Sequence, residues 1–381
     1  MQKINLKPLF EERMKKLLET EEYERYLKIL KKPVKNYIRC NTLKISPEEL
    51  KKRLEEKSWK ISQPFKEHEE IMIIEGKFIN NSNDNLYNNK NSNQSIDRLN
   101  IINNKTKNDK SIINNSSEGG WLGDGGRDKI NKKFISLEPG ELGNSLEHQL
   151  GYYYVQEIVS MLPILALNPK PNEIFLDLCA SPGSKTTQAA AKMKNQGLII
   201  ANDAKLDRII ILASNLQRCG VSNAILTKKD GSMLCKELLK LSKKMEFDKI
   251  LVDAPCSGEG TLRSSFKTYK MWNIKTISTL SRMQKRLVES AISILKKNGE
   301  LIYSTCTHAP EENEEVVDFI IKNFPEMEIQ KLYLPKELKT RLGITNWKDK
   351  IYSEKVKYSV RIYPQDNNTE GFFIAKFKKI K

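Results

Sequence analysis

The chain has 381 residues with a hydrophobic share of 39%, which is enough for two domains with packed cores but not for a membrane protein. No run of about 18 apolar residues occurs, as a spanning helix would need, and the amino terminus is patterned as a charged amphipathic helix, not a signal peptide, so we expect a cytoplasmic protein. The net charge of +17 indicates a polyanionic partner such as nucleic acid, although a Lys-rich composition alone would give the same excess.

Residues 1–78 alternate helix and strand signals and predict a small α+β unit. The predicted elements are an amphipathic helix from Leu9 to Leu30, a strand YIRCNTLKI at 37–45, a helix capped by Ser46 with Pro47 at its first position, and short strands at Trp59–Phe65 and Ile71–Ile74. The following residues, 79–133, are rich in Asn and carry no apolar period at 80–115, so we predict a disordered insertion without functional weight.

Residues 134–381 are regular and predict one larger domain. A helix is predicted through Gly151–Leu167, and after it come short runs rich in Ile, Leu and Val, namely EIFLDLC, GLIIAND, NAILTKKD, KILVDAP and ELIYSTC. Helical stretches at Lys185–Lys194 and Leu206–Gly220 separate the first of these runs. Apolar strands that alternate with helices predict an α/β fold with a mainly parallel sheet buried on both faces, and ligands bind such sheets beyond the carboxyl ends of the strands.

Polar residues follow three of the predicted strands. After Asp177 comes a Gly-containing turn that leads into a helix, an arrangement that presents backbone N–H groups to a cofactor. The NTPase phosphate loop is a rival interpretation, but it needs glycines at positions 179 and 184, which hold Cys and Ser. Asp203 suits ribose hydroxyls and Asp230 suits an exocyclic amine. Each Asp alone is more often a helix cap or turn former, whereas the three together, with the loop above them, indicate a nucleoside pocket.

Two of the six cysteines, Cys256 and Cys306, follow the fourth and fifth predicted strands. The cysteines form no C-x-x-C pair and the three histidines are scattered, so we predict neither a zinc site nor a disulfide framework. Neighbouring strand ends bring two thiols to one cleft, and cytosine chemistry uses two. One thiolate adds to carbon 6 and makes carbon 5 nucleophilic, and a second group assists release after methyl transfer. The residues alone do not say which cysteine attacks.

The motifs LDLCASPGSKTTQ, DAPCSGEGT, and YSTCT followed by EENEEVV resemble those of the Sun/Nop-type (NSUN-like) RNA cytosine-5 methyltransferases. The resemblance extends over nearly the whole chain apart from the Asn-rich insertion, and the build is closest to the archaeal tRNA enzymes. It implies a Rossmann-like methyltransferase domain, S-adenosylmethionine as the methyl donor, and an RNA-binding role for the amino-terminal unit.

The resemblance also implies site residues. It makes Cys306 the nucleophile and Cys256 the release cysteine, whereas in DNA cytosine-5 methyltransferases the cysteine of the Pro-Cys pair attacks, so Pro255-Cys256 alone favours the opposite assignment. Asp253 would bond the cytosine amino group, and Lys185 would orient the base or that carboxylate. The implied cofactor residues are Cys179, Ala180, Ser181, Pro182, Gly183, Ser184, Lys185, Asp203, Arg208, Asp230 and Asp253, with Ser181 and Ser184 standing where Ala and Gly are more usual.

RNA is the expected partner, with tRNA favoured and rRNA second. Arg39, Asn41 and Lys44 share one predicted strand and suit phosphate contacts, although an ordinary exposed strand with solvated charges is an equal alternative. We expect a monomer without a membrane or metal partner. A catalytically silent RNA-binding or ribosome-assembly protein is a rival function, which the intact cysteines, Lys185 and Asp253 oppose. A DNA cytosine methyltransferase is a second rival and would carry a large late insertion.

Overall fold

The structure is a computed structural model that describes residues 6–80, 132–241 and 246–381. Most of the Asn-rich segment, for which the sequence predicts disorder, lies outside the described residues. Within the described part of the chain, no helix combines the length and the apolar character that crossing a bilayer requires.

The first part of the described chain forms an antiparallel sheet of five strands with several helices. The helices are α1 (Pro8–Leu17), α2 (Thr20–Leu30), α3 (Pro47–Glu56), α4 (Glu141–Asn144) and α5 (Leu146–Gln149), and the strands are β1 (Asn36–Cys40), β2 (Trp59–Ser62), β3 (Ile71–Asn80), β4 (Lys132–Ile135) and β5 (Tyr153–Val155). The strand order is β2-β3-β1-β5, with β4 also paired to β3. The small α+β unit predicted for the amino-terminal region is therefore present.

The predicted single helix from Leu9 to Leu30 is wrong, because two helices meet at Leu18. Leu18 has extended backbone angles, and its side chain is buried with Phe10 and Tyr26 against Trp272 of the larger domain. Burial of an apolar cluster of this kind outweighs the small gain from continuing the helix. By contrast, the cap predicted for α3 is confirmed, since the hydroxyl of Ser46 accepts a hydrogen bond from the amide of Glu49 at 3.1 Å.

Two predicted boundaries near the sheet are also wrong. The strand predicted at 37–45 ends at Cys40, because a turn follows in which the amides of Lys44 and Ile45 donate to the carbonyl of Asn41. The helix predicted through Gly151–Leu167 begins only at Ile158. Its first part is β5, whose aromatic and β-branched residues pair antiparallel with β1, and such residues favour strands.

The second part of the described chain contains the larger sheet. Its strands are β6 (Ile174–Asp177), β7 (Leu198–Asp203), β8 (Ala224–Lys228), β9 (Phe247–Asp253), β10 (Leu295–Thr305), β11 (Met327–Gln330), β12 (Arg341–Leu342), β15 (Val360–Ile362) and β16 (Phe372–Lys379), and a separate hairpin consists of β13 (Asn346–Trp347) and β14 (Lys350–Ile351). The helices are α6 (Ile158–Leu167), α7 (Ser184–Lys192), α8 (Leu206–Cys219), α9 (Gly231–Leu241), α10 (Phe266–Met271), α11 (Ile274–Ser293), α12 (Glu314–Asn323) and α13 (Pro364–Asn367).

The central strands run parallel in the order β8-β7-β6-β9-β10, and β16 follows antiparallel to β10. The five predicted strands and the parallel sheet are thus confirmed. The chain reverses its direction of travel across the sheet at β6, and ligands of open α/β sheets bind beyond the strand ends at such a point. Asp177, Asp203, Asp253 and Thr305 are the last residues of β6, β7, β9 and β10.

Helices cover both faces of this sheet. Apolar residues of α9, α11 and α12 pack on one face, and those of α6, α7 and α8 pack on the other. Neighbouring residues of β9 illustrate the alternation, because Ile250 and Val252 belong to the first core and Leu251 to the second. Truncation of fully buried Leu251 to Ala is therefore expected to cost about 2–5 kcal/mol.

The sequence division into units at 1–78 and 134–381 stays a prediction. β4 and β5 come after residue 131 in the chain but pair with β3 and β1. The side chain of Phe10 in α1 packs edge-on against Trp272 at a ring-centroid distance of 5.5 Å. The two sheets are thus joined both by chain crossings and by apolar contact.

Candidate active site

The turn after β6 has the geometry of a loop that holds a small molecule. Gly183 has φ of +103°, which L side chains rarely adopt, and a Cβ atom there would lie 2.9 Å from Cδ1 of Leu212. Behind the turn, the hydroxyl of Thr186 donates to Oδ2 of Asp177 at 2.7 Å. Burial raises the pKa of Asp177 to about 7. The run Cys179–Ser184 therefore connects β6 to α7, and the hydrogen bond between Thr186 and Asp177 holds the two ends of this turn together.

Asp203 and Arg208 lie beside this turn. Nε of Arg208 is 3.5 Å from Oδ2 of Asp203, and its NH2 group donates to the carbonyl of Ser181 at 2.7 Å. The hydroxyl of Ser181 in return donates to the carbonyl of Arg208 at 2.9 Å. The predicted grouping of the loop, the acid and the arginine is thus present in the fold.

The side chain at the third strand end is arranged differently. Asp230 is exposed, and its Oδ1 accepts hydrogen bonds from the amide and hydroxyl of Ser232 at the start of α9. These bonds, led by that of the hydroxyl, lower the pKa of Asp230. Asn202 connects the strand ends, because its amide group donates to the carbonyls of Leu178 and Lys229 at 3.1 and 3.0 Å. Asp230 is thus a helix cap at the rim of the site.

These residues fit the cofactor that the resemblance implies. Oδ2 of Asp203 is buried and accepts no hydrogen bond from the residues at 6–80, 132–241 and 246–381, so it suits a ribose hydroxyl. The glycine turn brings backbone close to a ligand, and burial raises the pKa of the Cys179 thiol well above its usual range, which keeps it neutral. S-adenosylmethionine has a ribose with hydroxyl donors that Asp203 can accept from, and its length suits a backbone turn that a ligand can approach closely.

Lys185 and Asp253 form an ion pair at the centre of the site. Nζ of Lys185 lies 2.7 Å from Oδ2 of Asp253 and 2.9 Å from the hydroxyl of Ser160. The hydroxyl of Ser304 donates to Oδ1 of Asp253 at 2.6 Å. Nζ of Lys185 also lies 5.6 Å from the ring centroid of Phe372. The pair is partly buried, and Ser160 and Ser304 hold its two members, so the ammonium and carboxylate groups have fixed orientations.

The two cysteines meet at neighbouring strand ends. Their Sγ atoms are 3.1 Å apart, and the amide of Cys306 donates to Sγ of Cys256 at 3.3 Å. The hydrogen bond between the two sulfurs, together with burial, raises the pKa of Cys256 well above its usual range. Cys256 is therefore held as a neutral thiol beside the sulfur of Cys306.

A buried network holds the two cysteine loops together. The amide of Ser257 and the side chain of Gln284 donate to Oε2 of Glu312 at 3.0 and 2.8 Å. The hydroxyls of Ser257 and Thr307 are 2.7 Å apart. Burial raises the pKa of Glu312 to about 7, and Oε1 of this carboxyl group has no hydrogen-bond partner among the described residues. Glu312 thus positions the residue that follows Cys256.

A cavity of about 390 Å³ opens next to these groups. Among its lining residues are Lys185, Asp253, Cys306, Phe372, Glu157 and Glu370. Cys256, whose sulfur lies 3.1 Å from that of Cys306, is not among them. The volume suits a nucleotide, and small-molecule sites of about 300–1,000 Å³ are typical.

The RNA contacts predicted for Arg39 and Asn41 are wrong. Both side chains are 2% exposed, because β1 is an inner strand that packs against α7. The guanidinium of Arg39 donates to Gln156, to the carbonyl of Ser184 at 2.7 Å and to the hydroxyl of Thr187 at 2.8 Å. Arg39 thus joins the antiparallel sheet to the helix of the cofactor turn.

Asn41 and Lys44 also bond within the protein. The side-chain amide of Asn41 donates to the carbonyls of Gly151 and Cys219, and Nζ of Lys44 donates to those of Leu150 and Arg218. Lys44 remains exposed, but its ammonium group also links the antiparallel sheet to the larger domain.

Sequence reasoning missed several residues of the site. These are Glu157, Ser160, Asn202, Ser304, Glu370 and Phe372, together with the supporting residues Gln284 and Glu312. Asn202, Ser304 and Glu312 lie next to motif residues, so the sequence could have identified them as candidates. Glu157 and Glu370 belong to no strand-end motif, so only the tertiary fold reveals their position.

Comparison with known proteins gives a consistent set of relatives. The sequence profile of the family described as 16S rRNA methyltransferase RsmB/F matches residues 164–378, more than half of the chain. A tRNA (cytosine(49)-C(5))-methyltransferase of Pyrococcus abyssi is 47% identical over 237 residues, covering 62% of this chain and 73% of that protein. A ribosomal RNA small subunit methyltransferase F of Psychromonas ingrahamii is 34% identical over 367 residues, covering 94% of this chain. The chain spans 60% of the length of that second relative.

Solved structures share the architecture. A methyltransferase homolog protein from Pyrococcus horikoshii superposes with a TM-score of 0.71 at 30% identity, covering 98% of this chain and 96% of that chain. NSun6 from Pyrococcus horikoshii, solved with SFG, has a TM-score of 0.71 at 23% identity and 99% coverage of both chains, which establishes likeness of fold. The predicted fold class, a Rossmann-like methyltransferase domain with a small amino-terminal α+β unit, is confirmed.

Proposed function

The chain belongs to the 16S rRNA methyltransferase RsmB/F family, and on that premise we propose that it methylates carbon 5 of cytosine in RNA with S-adenosylmethionine as the donor. The resemblance to Sun/Nop-type enzymes is thereby confirmed. We further propose Cys306 as the nucleophile and Cys256 as the release cysteine.

One observation carries the assignment of the two roles. Cys306 lines the cavity together with Asp253 and Lys185, whereas Cys256 does not line it and has its sulfur 3.1 Å from that of Cys306. A nucleophile needs the thiolate form and access to the substrate. The raised pKa of Cys256 disfavours its thiolate form. The Pro-Cys assignment of DNA cytosine-5 methyltransferases is therefore disfavoured here.

The first chemical step is addition to the base. The thiolate of Cys306 forms a bond to carbon 6, and the electron pair of the C5=C6 double bond makes carbon 5 nucleophilic. Asp253 and Lys185 face the polar edge of the base and stabilise the charge that develops on its ring. S-adenosylmethionine, when bound, supplies an electrophilic methyl group on a sulfonium. Carbon 5 would form its new bond to that methyl group as the methyl–sulfur bond breaks, and the sulfur would leave with that electron pair as a neutral thioether.

Release then requires loss of the proton on carbon 5. Once Cys306 carries the base, its sulfur is a thioether, so the charge and hydrogen bond that raised the pKa of Cys256 are gone. Cys256 loses its proton to solvent and accepts the carbon 5 proton as a thiolate. The freed electron pair restores the C5=C6 bond and expels Cys306 as a thiolate, next to the S–H group of Cys256.

For the cofactor we propose one set of holding residues. Asp203 would accept from the ribose hydroxyls, with Arg208 and Ser181 fixing its surroundings, and Asp230 would stand near the adenine. The turn from Cys179 through Ser184, including Ala180, Pro182 and Gly183, would wrap the donor, with Lys185 and Asp253 at the methionine end.

We propose tRNA as the substrate and rRNA as the second candidate. The tRNA enzyme of Pyrococcus abyssi, at 47% identity, supports the first, and the rRNA enzyme of Psychromonas ingrahamii, at 34%, supports the second. Cytoplasmic location, action as a monomer and independence from metal stay predictions.

Methyl transfer to defined RNAs tests the proposal. The purified protein is incubated with labelled S-adenosylmethionine and unmodified transcripts of whole tRNAs and of small-subunit rRNA, and bisulfite sequencing locates the product. We expect 5-methylcytosine at a single position of a tRNA. Methylation of rRNA alone would make rRNA the substrate in place of tRNA. The absence of 5-methylcytosine from both RNAs would refute the proposed function.

A further inference from the structure

Glu370 is a buried acid that the chemistry described above does not use. Its residue is 4% exposed, it lines the cavity beside Cys306, and neither oxygen of its carboxyl group accepts a hydrogen bond within 3.5 Å from the part of the chain that the structure describes. Burial raises its pKa, while the nearby hydroxyl and amide of Ser264 and the guanidinium of Arg263 oppose the shift. A buried carboxyl group with only these weaker, longer contacts is costly, so its retention needs an explanation.

The segment that carries Glu370 is rigidly held. Glu157 accepts hydrogen bonds from the amide of Glu370 at 3.1 Å and from the amide of Val159 at 2.7 Å. The guanidinium of Arg263 donates to the carbonyls of Thr369 and Pro33 at 2.8 and 2.7 Å. The backbone on both sides of Glu370 is therefore fixed, and its carboxyl group occupies a defined place.

That place is across Cys306 from Asp253. The strand order is β9-β10-β16, with Asp253 ending β9 and Cys306 following β10. Glu370 lies just before β16, and the adjacent Gly371 donates to the carbonyl of Gly260, whose amide donates to the carbonyl of Cys306. Asp253 pairs with Ser304 and Ser304 with Ile374, so Glu370 lies two strands away from Asp253 and four residues beyond that register, past the ends of the strands.

The chemistry of cytidine decides what meets Glu370. Carbon 6 is bonded to N1, which carries the ribose, and the edge with N3 and the amino group lies across the ring. With Cys306 at carbon 6 and Asp253 at that edge, the ribose falls on the side of Glu370. An ionised carboxyl group only accepts, and the amino group and the 2′-hydroxyl are the hydrogen-bond donors of a cytidine within RNA.

We propose that Glu370 binds the 2′-hydroxyl of the target nucleotide and thereby makes the enzyme select ribose over deoxyribose, with Glu157 as its positioning residue. The inference rests on the proposed function. A charge-assisted hydrogen bond of this kind gives about 10- to 100-fold discrimination.

A cycle of variant and substrate tests this assignment. The substrates are one RNA in its all-ribose form and the same RNA with a single 2′-deoxycytidine at the target position, and kcat/KM is measured for both. Wild type should favour the all-ribose RNA by about 10- to 100-fold, and Glu370→Met should reduce that preference to below about threefold. Glu370→Asp keeps the charge but withdraws it by one methylene, so this variant should also lose most of the preference for the all-ribose RNA.

Controls separate the possible failures. Glu370→Gln retains an acceptor oxygen and should restore part of the preference, and exposed Glu138→Gln should leave it unchanged. If wild type methylates both substrates equally, or if Met and Asp at position 370 keep the full preference, the assignment is overturned while the proposed function stands. If wild type methylates neither, the proposed function fails and the assignment with it.

Discussion

The Sγ atoms of Cys256 and Cys306 lie 3.1 Å apart although 50 positions separate the two residues in the chain. The parallel pairing of β9 with β10 produces this proximity, because both loops leave the sheet at the same edge. The cysteines are unequal, since Cys306 lines the cavity, whereas Cys256 does not line it and has its pKa raised well above its usual range. This inequality underlies the account of addition and release.

Replacement of Lys185 tests the ion pair. Lys185→Met keeps the length of the side chain but leaves Asp253 without its cation, so we expect kcat/KM to fall by about 10²- to 10⁴-fold. Lys192→Met, in the last turn of the same helix and paired to Glu70 at 3.7 Å, is the matched control and should keep near-normal activity. Equal effects of the two variants in a methyl-transfer assay would contradict a specific role for Lys185.

Replacement of Arg39 tests whether it is structural. Arg39→Met leaves Ser184, Thr187 and Gln156 without a buried donor, so the free energy of unfolding in urea should fall by about 3 kcal/mol or more. The RNA affinity of the folded fraction should change less than threefold. A variant of normal stability with weakened RNA binding would instead return Arg39 to the RNA interface.

Salt dependence tests binding through phosphates. Neutralised phosphates release counterions, so the logarithm of RNA affinity should fall linearly with the logarithm of salt concentration. Exposed Lys35 lines the cavity, and Lys35→Ala should lower the steepness of that line by about one. Fluorescence anisotropy at several salt concentrations measures both slopes, and a flat line for the wild type would exclude phosphate-dominated binding.

Stability should depend on pH through Glu312. Its folded pKa is about 7 and its ordinary value is 4.5, so the native state binds the extra proton between these values. Its contribution is fully present below about pH 4.5 and is lost as pH rises through about 7. The shift corresponds to roughly 3 kcal/mol.

The measurement compares wild type with Glu312→Gln in urea from pH 5 to 8. The difference in unfolding free energy between them should shrink or reverse as pH rises, in the direction that disfavours the wild type at high pH. Buried His308, whose pKa burial lowers to about 3, has the opposite dependence, but it is present in both proteins and cancels. A pH-independent difference would contradict a protonated native Glu312.

Local sequence patterns predicted most of the larger sheet and the core of the site. Short apolar runs indicated the strands, and parallel pairing then placed Lys185, Asp253 and both cysteines together, since such strands end at one edge. The glycine in the turn before α7 was likewise visible as a backbone requirement.

Long-range packing limited the rest. The spacing of apolar residues around Leu18 predicts one continuous helix, and only the packing of Leu18 in the cluster with Trp272 explains the break. Arg39 looks like a surface residue of an isolated strand, and its burial depends on α7, which is distant in sequence. Glu157 and Glu370 face one cavity because α6 and β16 pass close together, and no local pattern records that approach.

Trapping of the covalent intermediate tests the central claim most directly. Each variant is incubated with substrate RNA and S-adenosylmethionine and run on a denaturing gel. Cys256→Ala should accumulate a slower protein–RNA band, because addition proceeds while release is impaired, and Cys306→Ala and the double variant should form none. An adduct with Cys306→Ala, or undiminished turnover by that variant, would contradict Cys306 as the nucleophile.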